Sequence, residues 1–439
     1  MKTFRFYIRL IATFSQKFKG VLVLGVIFGI LIFIALSFIT NFYKGGRTEK
    51  IGLTGRYKTE NLPDFILNEI GGGLTKIEAD GTPSPNVAKF WETPDKGKTW
   101  IFTLFEDIYW QDGKKLVSED LSYQFTDVSV ERPNDYTISF KLKDSYSPFP
   151  AVVSQTAFKK GLLGVGDWKA EKLRIVGEYF EELILVKGKN KKIYKFYPTE
   201  EKTKNSFILG ETDILKNILN PAPFNEWSTA RVDSSSNKNQ IVTIFFNTES
   251  SFFSEKNARQ AASYALDKTS FKEDRAISPI SPSSWAYNSQ VKKYDFDKNR
   301  SLELMDEIPD ETKNSLPVKL VSTPALLPLA ETISSSWKDV GIDNIIQVSS
   351  VTPTEYDAFL VIFDIPPDPD QYTLWHSTQA GSNISRYKNP RIDKLLEDGR
   401  LNLDTEARKK IYLDFQRFLL EDAPAAFLFH PTWYTISRK

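Results

Sequence analysis

One uncharged apolar run, Gly20–Thr40 (GVLVLGVIFGILIFIALSFIT), divides this chain into two very unequal parts. Its 21 residues, at ~1.5 Å of helical rise each, reach about 31 Å, which matches the hydrocarbon core of a bilayer. The apolar region of a cleaved signal peptide is shorter, roughly 7–15 residues. Lys2, Arg5, Arg9, Lys17 and Lys19 precede the run, and no acidic residue accompanies them. The positive-inside bias therefore predicts a cytoplasmic basic stub over 1–19, a transmembrane anchor over 20–43 and a linker over 44–50, with everything later on the outer side. The competing reading is a cleaved signal peptide, for which Ala35 and Ser37 supply a small-x-small site. Either way about 400 residues work outside the cytoplasm, away from free ATP, which argues against an ATP-driven enzyme.

The exported part has no second run of membrane-spanning length, and a chain of 439 residues predicts two or three domains. Lys+Arg (57) and Asp+Glu (56) balance, so nothing favours nucleic acid, whose binding needs a basic surface. The absence of cysteine removes disulfides, zinc thiolates and thiol nucleophiles together. Short apolar or alternating runs predict strands at Trp100–Phe105, Thr137–Leu142, Leu183–Val186, Ile193–Tyr197, Ile241–Phe246 and Ala358–Phe363. Helical spacing predicts a helix over Ser254–Asp267, capped by Ser254. A second helix follows the cap Asp404, with Ile411, Phe415, Phe418 and Leu419 as its buried stripe and Pro424 as its stop. The class is thus mixed α/β, strand-rich to about residue 246 and helix-rich after, and SSSN at Ser234–Asn237 reads as an exposed loop.

Several motifs resemble chemistry and fail on detail. In GLLGVGDWK (Gly161–Lys169) an aspartate follows the last glycine where a phosphate loop needs Lys-Ser/Thr, so a turn before a strand is expected. Asp295, Asp297 and Asn299 begin like a calcium loop, but Arg300 stands where glycine is required, so a helix start is expected. His376 and His430 sit in no metal-binding spacing, and no G-x-S-x-G elbow is present. One segment remains open. DIPPDPD (Asp364–Asp370) places three carboxylates on a proline-stiffened loop after an apolar strand and runs into QYTLWHSTQ. It suits either a cation or ligand amino group, or a solvated loop that caps the turns after it.

Four segments together resemble the family 5 extracellular solute-binding proteins, the oligopeptide-, dipeptide- and nickel-binding receptors of ABC importers. They are Asp80–Asp120 (DGTPSPNVAKFWETPDKGKTWIFTLFEDIYWQDGKKLVSED), Phe246–Lys268 (FNTESSFFSEKNARQAASYALDK), Ser284–Asp306 with YDFDKNRSLELMDE, and Tyr356–Pro424. The resemblance implies an α/β, two-lobed periplasmic-binding-protein-like fold of class II type with mixed sheets, a ligand cleft between hinged lobes and one N-terminal transmembrane helix ahead of them. Carried over, the first lobe is 51–246 plus 424–439 and the second is 247–423. It implies no catalytic residue, no metal and no cofactor. The ligand is a peptide or other small solute, and the other partners are an ABC permease with its ATPase and the membrane; the protein is expected to be a monomer. Asp364, with Asp368 as the competing assignment, meets the ligand amine, while Trp375, His376, Trp285 and Tyr57 line the cleft. The rival functions are a sensory peptide receptor and an anchored hydrolase. The chain departs from the family in lacking a lipobox cysteine, in a trimmed first lobe after Asp120 and in one extra residue within DIPPDPD.

Overall fold

A computed structural model describes residues 13, 17–42, 46–123, 125–315 and 317–439. Lys19–Phe42 is one helix of 24 residues, and its described side chains, among them Val21, Leu24, Phe28 and Phe33, lie exposed rather than packed on the protein. Among the described residues no helix is long and apolar enough to cross a membrane. Most of the expected basic stub also lies outside the described residues.

Two large mixed sheets organise the rest. The seven-stranded sheet runs in the order Ala230–Ser236, Thr432–Arg438, Ile214–Ile218, Thr48–Thr54, Asn190–Tyr197, Tyr179–Lys187, Lys169–Val176. The six-stranded sheet runs Asp274–Arg275, Ala425–His430, Gln240–Phe246, Ala358–Asp364, Val318–Ser322, Asn344–Val348. An antiparallel four-stranded sheet, Ala88–Glu92, Thr99–Leu104, Thr137–Leu142 and Val128–Asn134, forms a smaller unit around Trp100, Phe102, Phe140 and Phe149. Five of the six expected strand runs lie within these strands, and the sixth, Trp100–Phe105, overruns Thr99–Leu104 by Phe105 alone.

The centre of the six-stranded sheet explains its sequence. Ile241–Phe246 and Ala425–His430 are buried without interruption, because helices cover both faces. Ala258, Ala261, Ala262, Ile333 and Trp337 pack on one side, and Ile392, Leu396, Phe415 and Leu419 on the other. A strand buried on both faces reads as continuous apolar sequence rather than alternation.

The same sheet moves the expected lobe boundaries. Gln240–Phe246 pairs with Ala358–Asp364 and Ala425–His430, so both strands assigned to the first lobe's ends belong to the second. The chain leaves the seven-stranded sheet at Ser236 and enters the six-stranded one at Gln240; it returns between His430 and Thr432. The backbone N–H of Asn237 donates to the Pro431 carbonyl at 3.0 Å, which ties the two crossovers side by side. The SSSN segment is accordingly the end of a strand and the start of a crossover, not a free loop.

Of the helix caps expected from sequence, one fails. Asp404 caps Thr405–Asp422 by accepting from Ala407 N, and Asp297 caps Lys298–Asp306 by accepting from Arg300 N. Ser254 does not cap: the helix is Lys256–Tyr264, and the Ser254 hydroxyl donates back to the Ser251 carbonyl at 3.0 Å. The turn expected at Gly161–Lys169 leads into the strand Lys169–Val176.

Candidate functional site

The last residue of Ala358–Asp364 stands opposite the first residue of Gln240–Phe246 in the ladder, so Asp364 and Gln240 are direct cross-strand neighbours where the chain changes sheets. Asp364 is solvent-exposed, and Gln240 Nε2 donates to its Oδ1 at 2.7 Å. The Ile365 N–H, one residue on, donates to Asn239 O at 2.8 Å and holds the loop against the crossover.

The three carboxylates of DIPPDPD meet different fates. Asp368 is buried and receives both guanidinium ends of Arg408, at 2.7 and 3.2 Å, so its ligand-anchor assignment conflicts with an internal ion pair. Burial opposes the Arg408 charge, yet the Asp368 carboxylate, supported by the Tyr412 hydroxyl, holds its pKa above the ordinary arginine value. Asp370 accepts from Arg400 Nε at 2.9 and 3.1 Å and from the Tyr146 hydroxyl at 3.2 Å. Burial raises its pKa despite the cation beside it. Asp364 alone stays open to solvent.

Trp375 is fully buried beside Phe245 and Phe427, and its indole N–H donates to Gln371 Oε1 at 2.8 Å. The expected cleft-wall residue is therefore core. His376 is also buried. Its Nδ1 pairs with Thr378 Oγ1 at 2.8 Å, its Nε2 lies 3.4 Å from Glu397, and Tyr372 stacks on the ring at 3.9 Å. Tyr57 is half-buried, donating to Thr54 O at 2.8 Å with its ring edge-on to Phe196. Trp285 is half-buried against Tyr412, and its backbone N–H donates to Asp80 O at 3.1 Å, so it sits where the two lobes touch.

That contact also explains the Asp80–Gly81 pair. Gly81 has φ +87°, and a Cβ there would lie 2.4 Å from the Pro367 carbonyl oxygen in the acidic loop. Only glycine tolerates both conditions. Gly81→Ala is expected to lower stability by about 1–3 kcal/mol and to weaken ligand binding by holding the lobes apart; thermal unfolding and calorimetric affinity check the two parts. A further interlobe contact joins the Ser147 N–H to Arg400 O at 2.7 Å.

Two residues of the site carry no sequence signal. Asp64 opens the short helix Asp64–Ile70 of the first lobe. Its side chain is exposed, and partial desolvation first, with the Asp364 carboxylate second, raises its pKa. Gln240 reads in sequence only as the polar residue before an apolar strand.

His430, fully buried at the return crossover, bonds the Gln240 carbonyl through Nδ1 at 2.8 Å. Burial depresses its pKa below the usual value, outweighing that bond. An unfolded imidazole protonates near ~6.5, so the unfolded chain takes up protons first as pH falls. The stability that His430 contributes as a neutral group is complete above that pH and declines toward pH 5. Urea midpoints at pH 7.5 and 5 should show this decline, and His430→Gln should remove that component of it.

An open concavity of about 540 Å³ lies elsewhere, between Lys96 and the residues Asp398–Asp404 with Ile411. Asp404 and Ile411, expected as a helix cap and as part of that helix's buried stripe, line it, but none of the expected ligand-binding residues does. Among the described residues no group of three or more His, Asp or Glu could hold a metal ion.

Residues 187–383, which include the strand ending at Asp364, match the family model for bacterial extracellular solute-binding proteins, family 5 Middle. The match spans less than half of the chain and marks a similarity to that family. Family 5 proteins are binding receptors rather than enzymes. The chain is 24% identical over 462 residues to the oligopeptide-binding protein AppA of Bacillus subtilis, across 85% of this chain and 83% of the relative. The structure of that species' AppA in complex with a nonapeptide matches with TM-score 0.71 and 19% identity, over 90% of this chain and 95% of the other. NikZ of Campylobacter jejuni, in complex with Ni(L-His), matches with TM-score 0.73 and 20% identity, over 89% and 94%. These likenesses support the mixed α/β, two-lobed periplasmic-binding-protein fold.

Proposed function

We propose that this chain is a family 5 receptor that captures peptides between its two lobes on the outer face of a membrane and presents them to an ABC permease, whose ATPase subunits lie on the cytoplasmic side. The helix Lys19–Phe42 anchors it there, in place of the absent lipobox cysteine. One observation carries the ligand reading. Of the three loop carboxylates, only Asp364 is free of an internal cation, and it stands solvent-exposed at the crossover between the sheets. A peptide's α-ammonium satisfies that carboxylate, while backbone pairing along the cleft leaves affinity nearly independent of side-chain sequence. Binding closes the lobes because ligand contacts favour the closed arrangement over the open one. The oligopeptide-binding name of the relative quoted above points the same way.

A charge-assisted bond contributes about 1.5–3 kcal/mol, or roughly 10- to 150-fold in affinity. The full chain in detergent should bind a pool of two- to eight-residue peptides and discriminate by about that factor against the N-acetylated pool. Asp364→Asn should abolish the discrimination without unfolding the protein. Equal affinity for blocked and free termini in the unaltered protein would overturn the assignment, and cleavage of the peptides, lost on changing His376, would replace it with a hydrolase.

A further inference from the structure

The Gln240 side chain is bonded at both ends of its amide. Nε2 donates to Asp364 Oδ1 at 2.7 Å. Oε1 accepts from the Trp433 indole Nε1–H at 2.7 Å and from Asn237 Nδ2 at 3.1 Å. Trp433 belongs to Thr432–Arg438, a strand of the seven-stranded sheet, whereas Gln240 and Asp364 belong to the six-stranded one. Asn237 lies in the outgoing crossover, and the Gln240 main-chain carbonyl takes the bond from His430 at the return crossover. This single residue therefore touches both crossovers, both sheets and the open carboxylate.

Its amide cannot be turned round. An indole nitrogen only donates and an ionised carboxylate only accepts, so the oxygen must face Trp433 and the NH₂ must face Asp364. A lone aspartate at a strand end rotates broadly about its terminal torsion. With Oδ1 committed to Gln240, the carboxylate plane is set and Oδ2 takes an incoming cation.

We propose that Gln240 is a positioning residue that orients Asp364 for the ligand ammonium and couples that charge to the hinge. Rotation of the lobes about 237–239 and Pro431 carries Trp433 away from Gln240. Opening then removes the acceptor contact that fixes the amide, and the carboxylate loses its orientation. An ammonium on Asp364 strengthens a relay that is intact in only one lobe arrangement, which supplies the differential contact closure requires. The inference rests on Asp364 as the amine anchor.

The test uses the full chain in detergent and measures affinity for the free and N-acetylated pools of two- to eight-residue peptides. Gln240→Met keeps length and packing but loses all three side-chain bonds, to Asp364, Trp433 and Asn237. It should weaken binding of the free-amine pool about tenfold, in line with one charge-assisted bond, and change the acetylated pool less than twofold. Trp433→Phe keeps the ring contact and loses the N–H, and should shift the free-amine pool in the same direction by a smaller factor. A merely structural role would weaken both pools alike, and that result, or full discrimination in Gln240→Met, would overturn the relay. Asp364→Asn separates the two readings. If it erases discrimination while Gln240→Met does not, the relay fails and the anchor stands; if it leaves discrimination intact, the anchor fails first. No binding of either pool by the unaltered protein would sink both.

Discussion

Arg408→Met is expected to lower the unfolding free energy by about 3–5 kcal/mol, the usual consequence of leaving one partner of a buried ion pair alone. Arg408 and Asp368 are both less than one-tenth exposed. The guanidinium bonds both Asp368 oxygens and donates through Nε to the Gly399 carbonyl at 3.0 Å. Methionine fills much of the stem volume but leaves the buried carboxylate without its cation, held only by the Asp370 N–H at 2.9 Å. The double variant Asp368→Leu/Arg408→Met should recover most of the loss, because removing both charges also removes their desolvation. Denaturant midpoints across the four proteins of the cycle measure the coupling. Peptide affinity per folded molecule should change little, since neither group is available to a ligand. A large affinity loss in the double variant with stability intact would return Asp368 to the binding site.

Trp375→Ala should destabilise by a similar amount, about 3–5 kcal/mol. The indole is fully enclosed by a cluster that includes Phe245, Tyr412, Phe415 and Phe427, so truncation opens a void that rigid strands cannot collapse. It also removes the donor to Gln371 Oε1, on a glutamine side chain that is itself fully buried. Trp375→Phe separates the two effects. It restores most of the volume and leaves only the unpaired amide oxygen, worth about 1–3 kcal/mol. Thermal unfolding of the two variants gives the split, and affinity for the free-amine peptide pool should hold in whichever variant remains folded.

Much of the fold was legible along the chain because it depends on local pattern and on the simple presence of neighbours. Ile241–Phe246 and Ala358–Phe363 announced strands, though not their central place, since a strand covered on both faces needs apolar side chains at nearly every position. Asp404 and Asp297 announced helix starts, because a cap bonds an amide only three residues away. The ordered run of motifs pointed to the solute-binding family that residues 187–383 match.

The stripe of the helix Thr405–Asp422 was read only in part. Apolar spacing picked out Phe415 and Leu419, but Arg408, Tyr412 and Gln416 lie buried as well, one turn apart on a shared face. Gln416 is satisfied by Ser278 and Ala286, more than 120 residues earlier. Hydropathy cannot rank such positions inward, because only distant partners make their burial tolerable.

The acidic loop shows the same division. The sequence by itself determined that three carboxylates would sit on a stiff segment beside a strand end. Tertiary structure alone decided that Asp370 meets Arg400, 30 residues on, that Asp368 meets Arg408, 40 residues on, and that Asp364 meets Gln240, 124 residues back. It likewise decided that the chain changes sheets at 237–239 and Pro431 rather than after Phe246, since a strand's sheet is set by which edge its backbone N–H and C=O groups reach, not by its own side chains. Local sequence fixes what each carboxylate could do; long-range pairing of buried charge fixes which one is left to do it.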